Sequence, residues 1–268
     1  MFGQRNFSRV LKALLKPHSY EAGIKMAFNY VNPVDGFLRY VFGVGKYPCD
    51  FQVKTPVGVV TTRLYSKHDI LTVNEIFCRE DYYVPSDVST VLDIGANIGL
   101  SALYFLTRNS HSIAYVYEPV PKNIEKLRSN LQGLEDRFFL TENAVSDVSG
   151  EFQFGVEPSG RYGGLEKKVG EKASAEQPLI DNLISVQCDG INQVLEKLLD
   201  KHDQIDLIKI DTEGAELKTV EAINEENLAR IKMIYIEAQT PPILKNPAKF
   251  RIEKYKTVLR ITNLDFLD

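Results

Sequence analysis

Residues 90–107 contain the sequence feature that most limits the possible folds of this chain: an apolar segment, a glycine-containing turn and a second apolar segment. The first segment, residues 90–94, predicts a buried strand, and the turn that follows leads into a predicted helix. In that turn, Gly95 lets the backbone approach a ligand without a Cβ, and Gly99 lets the helix begin close to the sheet. Free N–H groups at a helix start bind polar ligand atoms, so this arrangement favours a nucleotide-like ligand.

Short β-branched segments alternate with helical segments from Thr90 onward, which is typical of a parallel sheet covered by helices. The predicted strands are 90–94, 113–118, 138–145, 205–211 and 233–237, and the predicted helices are 99–107, 122–132, 191–200 and 215–223. We therefore predict an α/β fold, a Rossmann-like doubly wound and mostly parallel sheet, in a domain that spans residues 69–268.

Residues 1–68 predict an N-terminal cap of helices and one hairpin, without recognisable chemistry of their own. The helices are predicted at 11–16 and 20–30, and the hairpin at 51–65, with a further helix at 69–79 that leads into the domain. A long segment rich in Gly, Ser, Lys and Glu, residues 155–182, is interpreted either as an active-site flap or as disorder.

Charge and composition exclude several classes of function. The chain has 32 Lys and Arg against 36 Asp and Glu, a net charge of −4, so we predict no nucleic acid partner. We also predict no integral membrane segment, because no apolar stretch is long enough, and a cytoplasmic location, because the three Cys have no paired spacing and the start of the chain lacks a signal peptide. The basic segment 9–16, with apolar residues at helical spacing, either packs on its own domain or rests on a membrane surface.

An acidic residue, Glu118, follows Gly99 by 19 residues and ends the second predicted strand. Folds of this type place a carboxylate at about this interval, where it binds the hydroxyls of a ribose. The turn lacks the middle glycine that admits a pyrophosphate, since Asn97 stands there. A ligand with ribose and adenine but no phosphates fits better, and we predict S-adenosylmethionine.

The segment Asp93-Ile-Gly95-Ala96-Asn97-Ile-Gly99 resembles the first motif of class I methyltransferases, in the form typical of the FkbM family. Later segments resemble that family in the same order, and the resemblance covers about residues 69–239. These later segments are Glu118-Pro119 with the residues up to Leu127, Asn143-Ala144-Val145-Ser146-Asp147, Ser185 to Gly190, and Ile208 to Glu216.

The resemblance implies the class I methyltransferase fold, with S-adenosylmethionine as cofactor. It implies that Glu75 reaches the methionine end of the cofactor and that Tyr83 lines a pocket for cofactor or acceptor; Tyr82 shares this position, and packing under the sheet edge is the alternative for both. The cofactor-binding residues that follow from the motifs are Asp93, Gly95, Ala96, Asn97, Gly99, Glu118, Pro119, Asn143, Ala144, Val145 and Asp211.

Three carboxylates follow neighbouring predicted strands and should converge on one crevice: Asp211, Glu213 and Glu237. Crowded negative charges raise one another's pKa, which favours a catalytic base, and Asp211 is our first candidate. The alternative for Asp211 is that it caps the next helix. The same carboxylates could hold a divalent cation, although clustering also follows from strand ends alone, so no metal ligand is assigned.

Other residues near the crevice have two interpretations each. Lys209 pairs with Asp93 or Glu237, and His68 either approaches the crevice or is an ordinary surface residue. Arg161 and Tyr162 in the flap either bind a polar or anionic acceptor or are solvated loop residues.

The end of the chain departs from the class I pattern, which closes the sheet with an antiparallel strand pair. We predict a helix at 249–260 and one short strand at 261–267, which leaves a sheet edge that a second subunit could cover to form a homodimer.

The function predicted from these features is an S-adenosylmethionine-dependent O-methyltransferase. Its acceptor would be a hydroxyl or carboxyl of a small molecule or glycan: a sugar, a polysaccharide or a secondary metabolite. The alternatives are a non-catalytic module that binds S-adenosylmethionine or a partner, and a nicotinamide oxidoreductase.

Overall fold

A computed structural model of the protein describes residues 17–156, 163–168, 183–212 and 214–267. Its strands are β1 (Cys49–Thr55), β2 (Gly58–Leu64), β3 (Thr90–Ile94), β4 (Ile113–Tyr117), β5 (Phe138–Thr141), β6 (Ala144–Ser146), β7 (Gly150–Val156), β8 (Gly163–Lys168), β9 (Leu183–Gly190), β10 (Ile205–Ile210), β11 (Ile231–Ile236), β12 (Phe250–Tyr255) and β13 (Val258–Asn263). Its α-helices are α1 (Pro17–Asn29), α2 (Pro33–Phe42), α3 (Asp69–Val73), α4 (Leu100–Leu106), α5 (Pro121–Asn130), α6 (Ile191–Leu199), α7 (Glu216–Glu221) and α8 (Glu225–Ala229). Short 3₁₀ segments occur at Glu135–Arg137, Pro247–Lys249 and Leu264–Phe266.

A seven-stranded sheet forms the centre of the molecule, in the order β12-β13-β11-β10-β3-β4-β5. The five strands from β11 to β5 are parallel, whereas β13 is antiparallel to both of its neighbours. Apolar side chains on both faces of the parallel strands are buried, as expected for a sheet covered by helices. The predicted α/β fold with a doubly wound, mostly parallel sheet is confirmed.

The secondary structure predicted for residues 249–267 is wrong. Residues 250–263 form the hairpin β12–β13 instead of a helix, and β13 pairs with β11 to close the sheet. Apolar residues alternate with charged ones along β12, as in Phe250 and Ile252, and Lys256 adopts a left-handed φ of +55° in the turn. The final strand pair is therefore complete, which removes the reason we gave for a homodimer.

The third predicted strand, 138–145, is divided between two sheets. Residues 138–141 form β5 of the central sheet, whereas 144–146 form β6 of a second, four-stranded sheet with the order β6-β9-β7-β8. Part of the predicted flap is therefore strand: β7 reaches residue 156 and β8 spans 163–168. Residues 157–162 and 169–182 lie outside the described residues.

The N-terminal elements share a hydrophobic core with the central sheet. One cluster of buried side chains joins Tyr30 and Phe51 to Val91, Tyr104 and Val116. The predicted hairpin is β1–β2, and the helix predicted at 69–79 begins as α3 and continues as a π-helical turn, Asn74–Cys78. The helix predicted at 11–16 lies outside the described residues. None of the described helices is long and apolar enough to span a bilayer.

Replacing Gly36 with alanine should lower the free energy of unfolding by about 2 to 4 kcal/mol, because close packing leaves no room for a Cβ. At this buried position in α2, the new Cβ would overlap Cδ2 of Tyr30 and lie 2.8 Å from its Cε2. The control is Gly23→Ala in α1, where no atom lies within 4 Å and alanine should gain up to about 1 kcal/mol from helix propensity. Urea unfolding of both variants measures the difference; equal stabilities would show that α2 does not pack on Tyr30.

Candidate active site

A cleft of about 750 Å³ opens at the carboxyl ends of β3, β10 and β11, where open α/β sheets bind ligands. It is bounded by the β3–α4 loop, by α3 with its π-helical turn, and by the first turns of α5. Its lining comprises Tyr65, Ser66, His68, Asp69, Thr72, Glu75, Ile76, Arg79, Asp81, Tyr82, Gly95, Ala96, Asn97, Ile98, Leu100, Ser101, Lys122, Lys126, Lys209, Asp211, Glu237 and Thr257.

The β3–α4 loop, residues 95–99, is held to the end of β4 by backbone hydrogen bonds. The N–H groups of Gly95 and Ala96 both donate to the carbonyl of Tyr117, at 2.9 and 3.1 Å. Gly95 has a φ of +77°, and its Cα lies so close to β10 that a Cβ would overlap the carbonyl oxygen of Asp211. The sequence predicts a close approach of Gly95 to a ligand, whereas the structure shows a close approach of Gly95 to the backbone of Asp211.

Glu118 lies against this loop. Its Oε2 accepts a hydrogen bond from the N–H of Asn97 at 2.8 Å, and its Oε1 accepts from the N–H of Val120 and from Nδ2 of Asn123, both at 3.1 Å. The side chain is 4% exposed, and burial raises its pKa against the effect of these three donors. A carboxylate accepts about four hydrogen bonds, so Glu118 supports the loop and keeps capacity for a ligand hydroxyl.

Asp93 is fully buried beneath the cleft and is used to fix Lys209. Oγ of Ser101 donates to Asp93 at 2.6 Å, and Nζ of Lys209 lies 3.2 Å from Oδ1 of Asp93. Lys209 also donates to the carbonyl of Gly95 at 2.8 Å and lies 3.5 Å from Oδ2 of Asp211. Burial lowers the pKa of Lys209, but the two carboxylates outweigh it and the net shift is upward, so Lys209 is a cation. The pairing of Lys209 with Asp93 is the one the structure shows.

Asp211 and Glu237 present carboxylates to the cleft from the ends of β10 and β11. Burial raises the pKa of Asp211 against the opposing charge of Lys209, and the charges of Glu216 and Asp93 raise it further. The pKa of Glu237 is raised by burial within the cleft and then by the negative charge of Asp211. Both carboxyls therefore have pKa values above the ordinary carboxyl value. A raised pKa favours a carboxylate as a general base near neutral pH.

Asp211 does not cap α7: the N-cap is Ala215, which has no side-chain cap, and Glu216 binds the N–H groups of the loop before the helix. The Glu216 carboxylate accepts hydrogen bonds from the N–H groups of Thr212 and Gly214, at 2.8 and 2.9 Å. The Asp211 side chain is 29% exposed and is left facing the cleft. Glu213 lies outside the described residues.

Tyr82, and not Tyr83, lines the cleft. The Tyr82 side chain is 4% exposed and its hydroxyl donates to Oε1 of Glu237 at 2.9 Å. Burial raises the pKa of Tyr82 well above its ordinary value, so this hydroxyl stays a donor. Tyr83, which the sequence predicts to bind the acceptor, is 43% exposed and is not among the residues that line the cleft. Arg161 and Tyr162, the other two residues in that prediction, lie outside the described residues.

Of the remaining predicted residues, only Glu75 lines the cleft. Glu118 and Asp93 are not among the lining residues of the cleft, and neither are Gly99, Pro119, Asn143, Ala144 and Val145. Glu75 lines the cleft from the π-helical turn, with its carboxylate 3.7 Å from Nη2 of Arg79. Nδ2 of Asn143 donates to Oδ2 of Asp189 at 3.1 Å, while Ala144 and Val145 are buried in β6. Pro119 follows Glu118 at the start of the segment that leads into α5, and Gly99 packs against Leu127.

A basic rim on the cleft was missed by sequence reasoning. Lys122 and Lys126, one turn apart on α5, line the cleft beside His68 and Tyr65, and Nζ of Lys126 lies 5.2 Å from the centre of the Tyr65 ring. Burial and the charge of Lys122 lower the pKa of Lys126. The cleft thus has a basic rim and an acidic end. Among the described residues, no group of three or more His, Cys, Asp or Glu side chains is arranged to hold a metal ion.

The sequence matches two proteins with methyltransferase names and one antimetabolite synthetase. It is 34% identical to the 2-O-methyltransferase NoeI of Sinorhizobium fredii over 157 residues, 55% of this chain and 62% of NoeI. It is 26% identical to the methyltransferase sdnD of Sordaria araneosa over 191 residues, 62% of this chain and 73% of sdnD. It is also 26% identical to AmbE, the AMB antimetabolite synthetase of Pseudomonas aeruginosa, over 193 residues. These residues are 62% of this chain and 9% of AmbE. The chain thus matches less than two thirds of NoeI and a small part of AmbE.

Among solved structures, the fold is similar to a methyltransferase FkbM from Methylobacillus flagellatus, with a TM-score of 0.41 and 13% identity over 73% of this chain and 54% of that one. The order and directions of the strands in the central sheet are those of the class I methyltransferase fold. The family model described as "Methyltransferase FkbM domain" matches residues 93–259, which is more than half of the chain. The protein belongs to the FkbM methyltransferase family.

Proposed function

We propose that the protein is an S-adenosylmethionine-dependent methyltransferase that acts on an oxygen atom of its acceptor. The observation that carries this proposal is the position of the β3–α4 loop. Glu118 holds the loop on one side, and the carboxylates of Asp211 and Glu237 face the cleft on the other. A ligand-binding loop and a pair of candidate bases thus share one cleft.

The cleft, together with the predicted residues around the β3–α4 loop, fits S-adenosylmethionine. A volume of about 750 Å³ is in the usual range for sites that bind small molecules. Glu118 has the spare acceptor capacity for a ribose hydroxyl, Ala144 and Val145 would border the adenine, and Glu75 would face the methionine end. Asp93, Gly95, Ala96, Asn97, Gly99 and Pro119 would shape the loop that receives the cofactor. When bound, S-adenosylmethionine supplies a methyl group on a positively charged sulfur.

The protein's own contribution is alignment and removal of a proton. An acceptor hydroxyl in the cleft would lose its proton to the carboxylate of Asp211 as its oxygen takes the methyl carbon. The carbon–sulfur bond would break, and its electron pair would leave with sulfur as a neutral thioether. The negative charge of Asp211 raises the pKa of the neighbouring Glu237. The Tyr82 hydroxyl holds Glu237 in place through a hydrogen bond of 2.9 Å. Glu213, the third predicted carboxylate, remains part of the proposal through its place in the sequence.

The acceptor proposed is a hydroxyl or carboxyl of a sugar, a polysaccharide or a secondary metabolite. The name of NoeI, a 2-O-methyltransferase, favours oxygen as the atom that is methylated. Lys122 and Lys126 would suit an acceptor with negative charge, and Arg161 and Tyr162 stay in the prediction as flap residues that bind it. A cytoplasmic location and the absence of a nucleic acid partner also remain predictions.

The acidic limb of the rate profile against pH should report the pair of carboxylates. Because both pKa values are raised, kcat/KM should rise with pH through a window above the ordinary carboxyl pKa of about 4. Glu237→Gln removes one negative charge but can still accept from Tyr82, so the limb should move to lower pH. A profile that is the same in wild type and Glu237→Gln would show that the two carboxyls do not titrate together. Glu142→Gln, at a surface carboxylate that is 57% exposed, is the control.

Two alternatives make different predictions. A non-catalytic module would bind S-adenosylmethionine but show no transfer to any acceptor. A nicotinamide oxidoreductase would bind reduced nicotinamide cofactor, which the absence of the middle glycine, with Asn97 in its place, disfavours.

The experiment that tests the proposal uses donor labelled in its methyl group, incubated with fractionated lysate and with the wild-type or the Asp211→Asn protein. Label should enter a product only with wild type, and fragmentation of that product should place the methyl on oxygen. A label on carbon or nitrogen, or equal transfer by both proteins, would contradict the proposal.

A further inference from the structure

The two N-terminal helices carry apolar side chains on their solvent faces. Half of the large apolar side chains that are exposed in the described residues lie in the short range 24–44. They are Ile24 (60% exposed), Phe28 (69%), Val31 (42%), Val34 (68%), Phe37 (49%), Leu38 (40%), Phe42 (63%) and Val44 (48%). Large contiguous apolar patches are uncommon on monomeric soluble proteins and usually mark an interaction site.

Helix geometry shows that these side chains point away from the protein. Successive residues of an α-helix are about 100° apart, so residues two positions apart lie on opposite sides. In α1, Met26 is buried, and Ile24 and Phe28 flank it at two positions. In α2, Gly36 is buried against Tyr30, and Val34 and Leu38 flank it in the same way. Both helices are therefore apolar on the face that a surface helix normally makes polar.

Charge is distributed unevenly between this region and the rest of the chain. Residues 1–48 contain seven Lys and Arg against two Asp and Glu, a net charge of +5, so the remaining 220 residues carry −9 of the total −4. The sixteen residues that precede α1 have four cations, Arg5, Arg9, Lys12 and Lys16, and no acidic residue. A basic region with exposed aromatic and aliphatic side chains is the pattern of a protein that binds at a membrane interface.

We propose that the apolar faces of α1 and α2 bind the surface of a bilayer with anionic lipids, to which the net charge of +5 in residues 1–48 would attract them. The exposed apolar side chains would enter the interfacial layer. A second copy of the chain is a poorer partner, because symmetric pairing would bring two regions of net charge +5 together.

The test measures co-sedimentation of the full chain with vesicles, either of phosphatidylcholine alone or with one quarter phosphatidylglycerol. Wild type should bind the anionic vesicles, and high salt should weaken the binding. The triple variant Phe28→Ser, Phe37→Ser, Phe42→Ser should bind about tenfold or more weakly, and so should Arg9→Gln, Lys12→Gln, Lys16→Gln. A matched control, Val59→Ser, Val148→Ser, Ile243→Ser, changes side chains that are 58%, 46% and 82% exposed elsewhere and should bind as wild type does.

Several outcomes would overturn the proposal. Wild type that stays in the supernatant with anionic vesicles contradicts it directly, as does equal loss in the serine triple and its control. A dimer that light scattering detects without lipid, and that the Phe triple dissociates, would assign the face to a second copy. Vesicle binding that appears only after removal of residues 1–16 shows that this segment covers the face.

Discussion

Gly95→Ala is expected to lower the free energy of unfolding by more than about 4 kcal/mol and to abolish binding of S-adenosylmethionine. Gly95 has a φ of +77°, a region that costs an L-residue roughly 1 to 2 kcal/mol. The new Cβ would also overlap the carbonyl oxygen of Asp211 and lie 2.9 Å from its carbonyl carbon. That backbone is fixed, because the N–H of Asp211 donates to the carbonyl of Ile94 at 3.1 Å. The β3–α4 loop and the end of β10 would have to separate.

Gly133→Ala separates the two causes. Gly133 has a similar φ of +86°, but no atom lies within 4 Å of the position of its Cβ. This variant should lose only the 1 to 2 kcal/mol or so of backbone strain and should bind S-adenosylmethionine as wild type does. Urea unfolding gives the stabilities, and calorimetric titration gives the affinities. If Gly95→Ala were as stable as Gly133→Ala, the packing of the loop against β10 would be wrong.

Asp211→Asn is expected to lower kcat by about 10² to 10⁴, the usual contribution of a positioned base, and to change the affinity for S-adenosylmethionine far less. The fold should survive. Because the pKa of Asp211 is raised in the folded protein, the folded protein binds the proton of this carboxyl more tightly than the unfolded chain does. Stability therefore falls as pH rises from the ordinary carboxyl pKa of about 4 through the raised value. At neutral pH the neutral asparagine should be at least as stable as the charged aspartate.

The control for Asp211→Asn is Glu142→Gln, which removes a surface carboxylate paired with Arg128 at 3.0 Å and should leave kcat unchanged. Stopped assays with labelled donor measure kcat, and thermal unfolding at pH 5 and pH 7.5 measures the stability. Full activity in Asp211→Asn would remove Asp211 from the chemistry and leave Glu237 as the base.

The parallel part of the fold could be predicted from sequence because its signals are local. An apolar strand followed by a glycine turn defined β3 at residues 90–94, and short β-branched segments between helical ones located β4, β10 and β11 within about two residues. The hairpin β12–β13 could not be identified in this way. Its Lys, Glu and Arg residues favour a helix by propensity, and pairing with β11 overrides that preference.

The residues of the site also fall into those that sequence position predicts and those that it does not. Glu118 follows from its distance to Gly99 along the chain, and Asp211 and Glu237 follow from their places at strand ends. Three features depend on side-chain directions and on which elements meet: the hydrogen bonds from the loop before α7 to Glu216, the hydrogen bond between Tyr82 and Glu237, and the lysines on α5. Tyr82 and Tyr83 are neighbours in sequence, and only the turn before β3 decides which of them enters the cleft.

Isothermal titration of the folded protein with S-adenosylmethionine and with its demethylated product tests the central claim most directly, since it needs no acceptor. We predict one site per chain for both ligands. Glu118→Ala should bind about tenfold to a hundredfold more weakly, because the ribose hydroxyls and the N–H of Asn97 lose their acceptor in a buried place. Glu142→Ala should bind as wild type does. Absence of binding by both ligands to a folded protein, or equal affinity in Glu118→Ala, would contradict the account.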